Sequence, residues 1–320
     1  MKTRRSPRSN LEITVLKQGT PSKKVLSCCF FTMKDAYRSK EIYEYNLQTF
    51  LKYKIQLKGF ETRIYTDDSG KDIVLKAVKE DPSVTILHFN FQPFREESGH
   101  IGTFGTLVRF LPLFEPGLEV VWVSDIDIPA YYLDKRLVSK KADFIYRTFP
   151  AYKSNIYGRA YTIVANAMIS FQTFPKQLFT RFLNQLTAPT KLLQSTLALL
   201  NKQLEIKHQP TSRIPYGIDE YFMNTIMYNY IIEKMYKCYI IKDYGYTFIH
   251  LKHEKLLTKE QDKLYWNYLK YPSSSAFSSL KKLYLEKAPL IEDKYPGVTT
   301  SITDSFIKIF HKQGDELNYL

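Results

Sequence analysis

The sequence predicts an α/β fold, a mixed but mainly parallel sheet flanked by helices, and three features predict it. Short apolar runs rich in β-branched and aromatic residues recur at 24–32, 61–66, 84–91 and 119–123, as buried strands require. Segments with a helical apolar period separate them, at 35–57, 71–80 and 100–114. Strand, helix, strand, helix at these spacings builds parallel β-α-β units.

Residues 24–32, KVLSCCFFT, form the first buried strand. Over 35–57, Ile42, Tyr45, Leu47, Phe50, Leu51, Tyr53 and Ile55 supply an apolar helical face between polar residues. ETRIYT at 61–66 is the second strand and runs into Asp67-Asp68-Ser69-Gly70, a turn-forming sequence. The helix at 71–80 is stopped by Asp81-Pro82, and 84–91 is the third strand. A helix at 100–114 carries Arg109 and ends at Pro116-Gly117. The strand at 119–123, with Val120, Val121, Trp122 and Val123, leads into Ser124-Asp125-Ile126-Asp127. Further strands are expected at 143–147, 161–171 and 239–242, and further helices at 176–186, 192–204, 216–235 and 258–270. In the helix that opens at 216, Asp219 is placed to cap and Glu220 lies in the first turn, where the helix dipole favours acids. Parallel strands put their carboxyl ends on one side, so the loops after Thr32, Thr66 and Val123 converge on one crevice.

A chain of 320 residues suffices for one large domain with an appendage. The expected division is a basic flexible arm at 1–23 with a short strand near 11–16, a domain at 24–271, and a helical C-terminal extension at 272–320 packing on it. Lys and Arg number 46 against 32 Asp and Glu, a net charge of +14 that suits an anionic partner: nucleotide, nucleic acid or membrane surface. Cys28, Cys29 and Cys238 form no disulfide framework and read as core residues in a reducing compartment. No run of 18 apolar residues marks a transmembrane helix, and the basic N-terminus lacks the apolar run of a secretory signal. A cytoplasmic protein is expected, its basic surface suited to peripheral contact with an anionic membrane.

Asp125 and Asp127 carry the chemistry. Two carboxylates at i, i+2 on the end of a buried strand raise each other's pKa unless a cation lies between them. Hard oxygen ligands favour Mg²⁺ or Mn²⁺, in sites that commonly include substrate phosphates. The plainer alternative is an Asp-rich turn.

Four segments stand in a telling order: GTLVRFLPLF with Arg109, VVWVSDIDIP with Asp125 and Asp127, VANAMIS with Asn166 and Ala167, and GIDEYFMN with Asp219, Glu220 and Asn224. This order resembles the retaining GT-A glycosyltransferases of the glycogenin/galactosyltransferase type, whose pattern is a helical Arg, a strand ending D-x-D, an N-A-G segment, then D-Q-D-x-x-N. The resemblance spans roughly residues 24–255. It implies a Rossmann-like GT-A fold and a glycosyltransferase dependent on Mn²⁺ (or Mg²⁺). Such an enzyme moves a sugar from a nucleotide-sugar, UDP-linked by preference, to a hydroxyl of a glycan, protein or lipid acceptor. Asp125 would contact ribose or metal, Asp127 would hold the metal, and Arg109 would contact the donor. Asn166 and Ala167 would line the sugar and acceptor region, and Asp219 would bind sugar hydroxyls. Thr32 would face the nucleobase; Asp68 is a second candidate there, beside its role as an ordinary turn residue. The third metal ligand would be His250 or His253, although the family's H-x-x-G-x-x-K-P-W pattern is absent around them.

Glu220 stands where that family has Gln. A carboxylate at this position serves as nucleophile in a retaining reaction or as base in an inverting one, so the stereochemistry stays open. Three rivals remain. One is a nucleic-acid-binding protein using the basic, aromatic-rich surface, although no recognition motif is present and nucleic acid is not the expected partner. The others are a catalytically inactive scaffold of the same fold and a different metal-dependent nucleotidyl or phosphoryl transferase, without a P-loop.

Overall fold

The computed structural model describes residues 10–32, 39–128, 130–148, 157, 162–203, 214–242, 257–261, 263–264, 279, 282–283, 286–287 and 307–310. The chain divides into two compact units, Met1–Ser139 with Ala165–Tyr230, and Lys140–Val164 with Ile231–Leu320.

The first unit is built on β1 (Glu12–Lys17), β2 (Lys24–Phe30), β3 (Glu61–Thr66), β4 (Val84–Asn90), β7 (Val120–Ser124) and β9 (Val164–Ser170), in the spatial order β1-β4-β3-β2-β7-β9. β4, β3, β2 and β7 are parallel, and β1 and β9 add antiparallel at the two ends of this run. The α/β class and the mixed, mainly parallel sheet are therefore as the sequence predicts. β2 and β7 are buried almost throughout, the near-continuous apolar pattern of strands covered on both faces. Helix α1 (Lys40–Tyr53) joins β2 to β3 and buries Leu47 and Phe50; helix α2 (Lys71–Val78) joins β3 to β4 and buries Val74 and Val78. The chain steps from β2 to β3 to β4 in one direction and then returns to β7 on the other side of β2. Strand order thus reverses between β2 and β7, and in open α/β sheets ligands bind at the carboxyl ends of the strands flanking such a reversal.

β1 forms where a short strand is expected near 11–16, within the stretch otherwise read as a flexible arm. The outer edge of β4 leaves a row of backbone donors and acceptors, and Glu12–Lys17 pairs with it.

The helix expected over 100–114 is broken into pieces. Arg95–Glu96 (β5) and Gly99–His100 (β6) form a two-stranded ribbon, Gly105–Val108 is a short helix α3, and Leu111–Phe114 is a 3₁₀ turn. Gly102 takes a left-handed φ of 53°, and Pro112 has no N–H to continue an α-helix. Helices α4 (Lys176–Thr187) and α5 (Lys191–Gln203) follow β9.

The helix expected from 216 is also interrupted. It opens as α6 (Ile218–Phe222), widens to a π-helical turn over Met223–Met227, and resumes as α7 (Tyr228–Glu233). Asn224 Nδ2 donates to the Glu220 carbonyl at 2.8 Å and Thr225 Oγ1 to the Tyr221 carbonyl at 2.7 Å. Side chains that take these i−4 carbonyls compete with the helix ladder, which accounts for the wide turn.

In the second unit, β8 (Phe144–Thr148) pairs parallel with β10 (Cys238–Lys242), which pairs antiparallel with β11 (Ile307–Phe310). The extension expected to be helical thus contributes a strand. Among the described residues, no helix is long and apolar enough to cross a membrane. Cys28, Cys29 and Cys238 are free and buried, as core residues should be.

Candidate active site

The site is organised by Arg109, at the end of α3, with only 2% of its surface exposed. The α3 segment is held against the sheet. A side chain on Gly105 would collide with the Phe31 ring, its Cβ falling 2.5 Å from a ring carbon, and Ser27 Oγ donates to the Arg109 carbonyl at 2.6 Å. A buried guanidinium needs acceptors for its rigid fork of donors. Arg109 Nη1 donates to Asp125 Oδ1, while Nη2 donates to Asp219 Oδ2 and to the Ala165 carbonyl, both at 2.7 Å.

Asp125 stands at the carboxyl end of β7, on the strand-order reversal. Its N–H donates to the Asn166 carbonyl at 2.8 Å, one step beyond the Ser124–Ala167 pair of the β7–β9 ladder. Directly opposed residues of an antiparallel pair share a face, so Asp125 and Asn166 project together. Asn166 Oδ1 is buried and has no hydrogen-bond partner among the described residues. Ala167 is buried in β9.

Asp219 and Glu220 occupy the first turn of α6, and both are buried. Gly217, at φ 82°, makes the left-handed turn into this helix. Asp219 does not cap as expected. Its Oδ1 accepts the Glu220 N–H at 2.9 Å and its Oδ2 faces Arg109. The Arg109 bond takes precedence because an unpaired buried guanidinium would be far costlier than an open helix end.

Partial loss of water around Asp125, whose side chain keeps 31% of its surface exposed, pushes its carboxyl upward, aided by the carboxylates of Asp127 and Asp219 and opposed by Arg109. Burial works against the charge on Arg109, but the same two carboxylates, Asp125 and Asp219, raise its pKa on balance. Cys29 lies beside this cluster, and burial pushes its thiol up to about 12.

Asp127 is exposed two residues beyond Asp125. Among the described residues, no group of three or more His, Cys, Asp or Glu side chains is arranged to hold a metal. His250 and His253 lie outside the described residues. What Asp125 and Asp127 present is a pair of hard oxygen donors. That fits an Mg²⁺-type ion, which is bound by one or two carboxylates and completes its octahedron with water and substrate phosphates.

Thr32 and Asp68 belong to a second group, at the carboxyl ends of β2, β3 and β4. The Thr32 N–H donates to Ser69 Oγ at 2.9 Å. The D-D-S-G run is a turn, with the Gly70 and Lys71 N–H groups donating to the Asp67 carbonyl at 3.1 and 3.0 Å. The Asp68 carboxylate is bound by Arg95, by Lys71 Nζ at 3.0 Å and by His88 Nε2 at 3.1 Å. Its side chain thus ties the turn to α2, β4 and the ribbon.

Sequence reasoning missed the residues that clasp this region. His100 Nδ1 meets Asp67 Oδ2 at 2.9 Å and its Nε2 accepts the Phe91 N–H at 3.0 Å, so the neutral Nδ1–H tautomer satisfies both bonds. No local pattern marks His100, because its partner lies 33 residues away.

No protein-family model matches the chain, and no curated protein does.

Proposed function

We propose that this chain is a metal-dependent glycosyltransferase of the GT-A type, moving a sugar from a nucleotide-sugar, UDP-linked by preference, to an acceptor hydroxyl. The observation that carries the proposal is the single guanidinium of Arg109 bound to both Asp125 and Asp219. Three of the four ordered segments meet there directly. The Ala165 carbonyl, which accepts from Arg109 Nη2, brings in the fourth, and Asn166 Oδ1 beside it has no partner among the described residues.

Asp125 and Asp127 would hold a divalent ion of the Mn²⁺ or Mg²⁺ class. Such an ion, when bound, supplies Lewis-acid neutralisation of the leaving diphosphate. The chain's own residues do the rest. Arg109 holds Asp125 and Asp219 in fixed register and adds positive charge close to the departing group. Asn166 Oδ1 is a buried acceptor placed for a donor-sugar hydroxyl, since such atoms are seldom left unsatisfied. Asp219 and Glu220 offer carboxylates on one helix turn. Asp219 is committed to Arg109, and Glu220 is the candidate for nucleophile or base.

The test is a donor screen. Purified protein is incubated with Mn²⁺ and each common nucleotide-sugar, and free nucleoside diphosphate is measured, with metal-free and Asp127→Ala controls. Metal-dependent release from one donor, abolished by the substitution, is expected. If no nucleotide binds in a metal-dependent way in the same samples, the glycosyltransferase assignment fails. Salt-sensitive oligonucleotide binding would then move nucleic acid to the front.

A further inference from the structure

We propose that Thr103 is a positioning residue that pins the start of α6 against the start of α3, so that Asp219 and Glu220 are held in register with Arg109. The role in catalysis rests on the transferase assignment; the clamp itself does not.

Arg109 follows the four-residue helix α3, and Asp219 and Glu220 lie in the first turn of the interrupted helix that runs from Ile218 to Glu233. A helix of one turn such as α3 is not stable by itself, and the first turn of a longer helix frays, so both take their placement from tertiary contacts. Thr103 makes such contacts at both. Its carbonyl accepts the Thr106 N–H at 3.0 Å and the Thr106 hydroxyl at 2.8 Å, which opens α3. Its own N–H donates to the Ile214 carbonyl at 3.3 Å, and its hydroxyl donates to the Pro215 carbonyl at 2.7 Å.

The Pro215 carbonyl is a pivotal acceptor. It also receives the Ile218 N–H at 3.2 Å, the bond that closes the turn into α6. The Thr103 hydroxyl therefore fixes the carbonyl from which the Asp219–Glu220 helix starts. Thr103 is 3% exposed and Ile214 is fully buried, so water does not replace this bond if it is lost. Proline at 215 has no N–H, which removes one backbone bond that could otherwise hold the turn. From the Thr103 clamp the chain runs six residues to Arg109 on one side, and from Pro215 it runs four residues to Asp219 on the other. A small drift at the clamp is passed directly to the Arg109–Asp219 pair.

The test uses Thr103→Val, which keeps the shape and removes the hydroxyl, and Thr103→Ser, which keeps the hydroxyl. Amide hydrogen exchange over Ile218–Phe222 is read on the full chain without substrate. T103V is expected to exchange there about tenfold faster or more, with T103S near the wild type. With whichever donor the screen identifies, T103V should lose turnover by about tenfold or more while nucleotide affinity stays within about twofold, and T103S should restore turnover. Unchanged exchange in T103V, or equal behaviour of the Val and Ser variants, overturns the proposal. So does a loss of nucleotide affinity equal to the loss of turnover. A wild type that turns over no nucleotide-sugar overturns the transferase assignment alone, because the exchange comparison still decides the clamp. If T103V does not fold, Thr103→Ala against T103S gives the same comparison of hydroxyl absent and hydroxyl present.

Discussion

Replacing Arg109 by Met removes the cation between two carboxylates and keeps most of the side chain's volume. The side chains of Arg109, Asp219 and Asp125 are 3%, 12% and 31% exposed. The Asp219 limb is therefore the desolvated one, and the Asp125 limb is partly screened by water. Breaking a buried pair by removing one partner costs about 3–5 kcal/mol, because the remaining charge is uncompensated. With one limb screened, about 3 kcal/mol is the expected loss for R109M. For a cooperative unit of about 200 residues that corresponds to a fall in Tm of roughly 6–12 °C. Adding Asp219→Asn removes the stranded charge, so the R109M/D219N double variant should be less destabilised than the sum of the two singles, by about 1–2 kcal/mol. Urea denaturation of wild type, both singles and the double measures this directly. Additive losses would refute the claim that Arg109 and Asp219 form a coupled pair, as would an R109M loss below about 1 kcal/mol.

Other expectations follow from the same structure. Asp127→Ala should abolish metal-dependent nucleotide binding in titration calorimetry yet leave stability within about 0.5 kcal/mol, since Asp127 is exposed. Hydrogen bonding from Lys71, joined by Arg95, holds the Asp68 carboxyl down at about 2 against the effect of burial. Its folded pKa lies below the unfolded value, so its stabilisation is complete above about pH 4 and is lost as pH falls towards 2. Asp68→Asn should flatten the acid side of the stability–pH curve, and an unchanged curve would show the carboxylate to be energetically idle. Burial pushes Cys29 and Cys238 up to about 12 and raises Cys28 well above the usual thiol range. All three should therefore resist a thiol-specific disulfide reagent at pH 8 until urea unfolds the chain. Rapid labelling of any of them in the native state would contradict the burial of β2 or β10.

What was legible in the sequence was local. β2, β3, β4 and β7 lie within a residue or two of their expected bounds, because a run of β-branched and aromatic residues is strand-forming wherever it sits. The placement of Asp125 at the end of such a strand was equally local, since the D-x-D follows its apolar run directly. The helix over 100–114 was not legible, because apolar spacing does not register Gly102 or Pro112 until the chain must turn at them.

Tertiary structure alone decided the pairings. Arg109 meets Asp219 across 110 residues, and nothing in either segment names the other. The link forms because burying a guanidinium demands a carboxylate, and the return of the chain from β4 to β7 supplies the place. The same physics moved Asp219 from helix cap to ion pair and closed Asp67 on His100. Periodicity and propensity act over a few residues and so can be read along the chain. Desolvation of charge is settled only when distant segments exclude water together, and that condition exists only in the folded molecule.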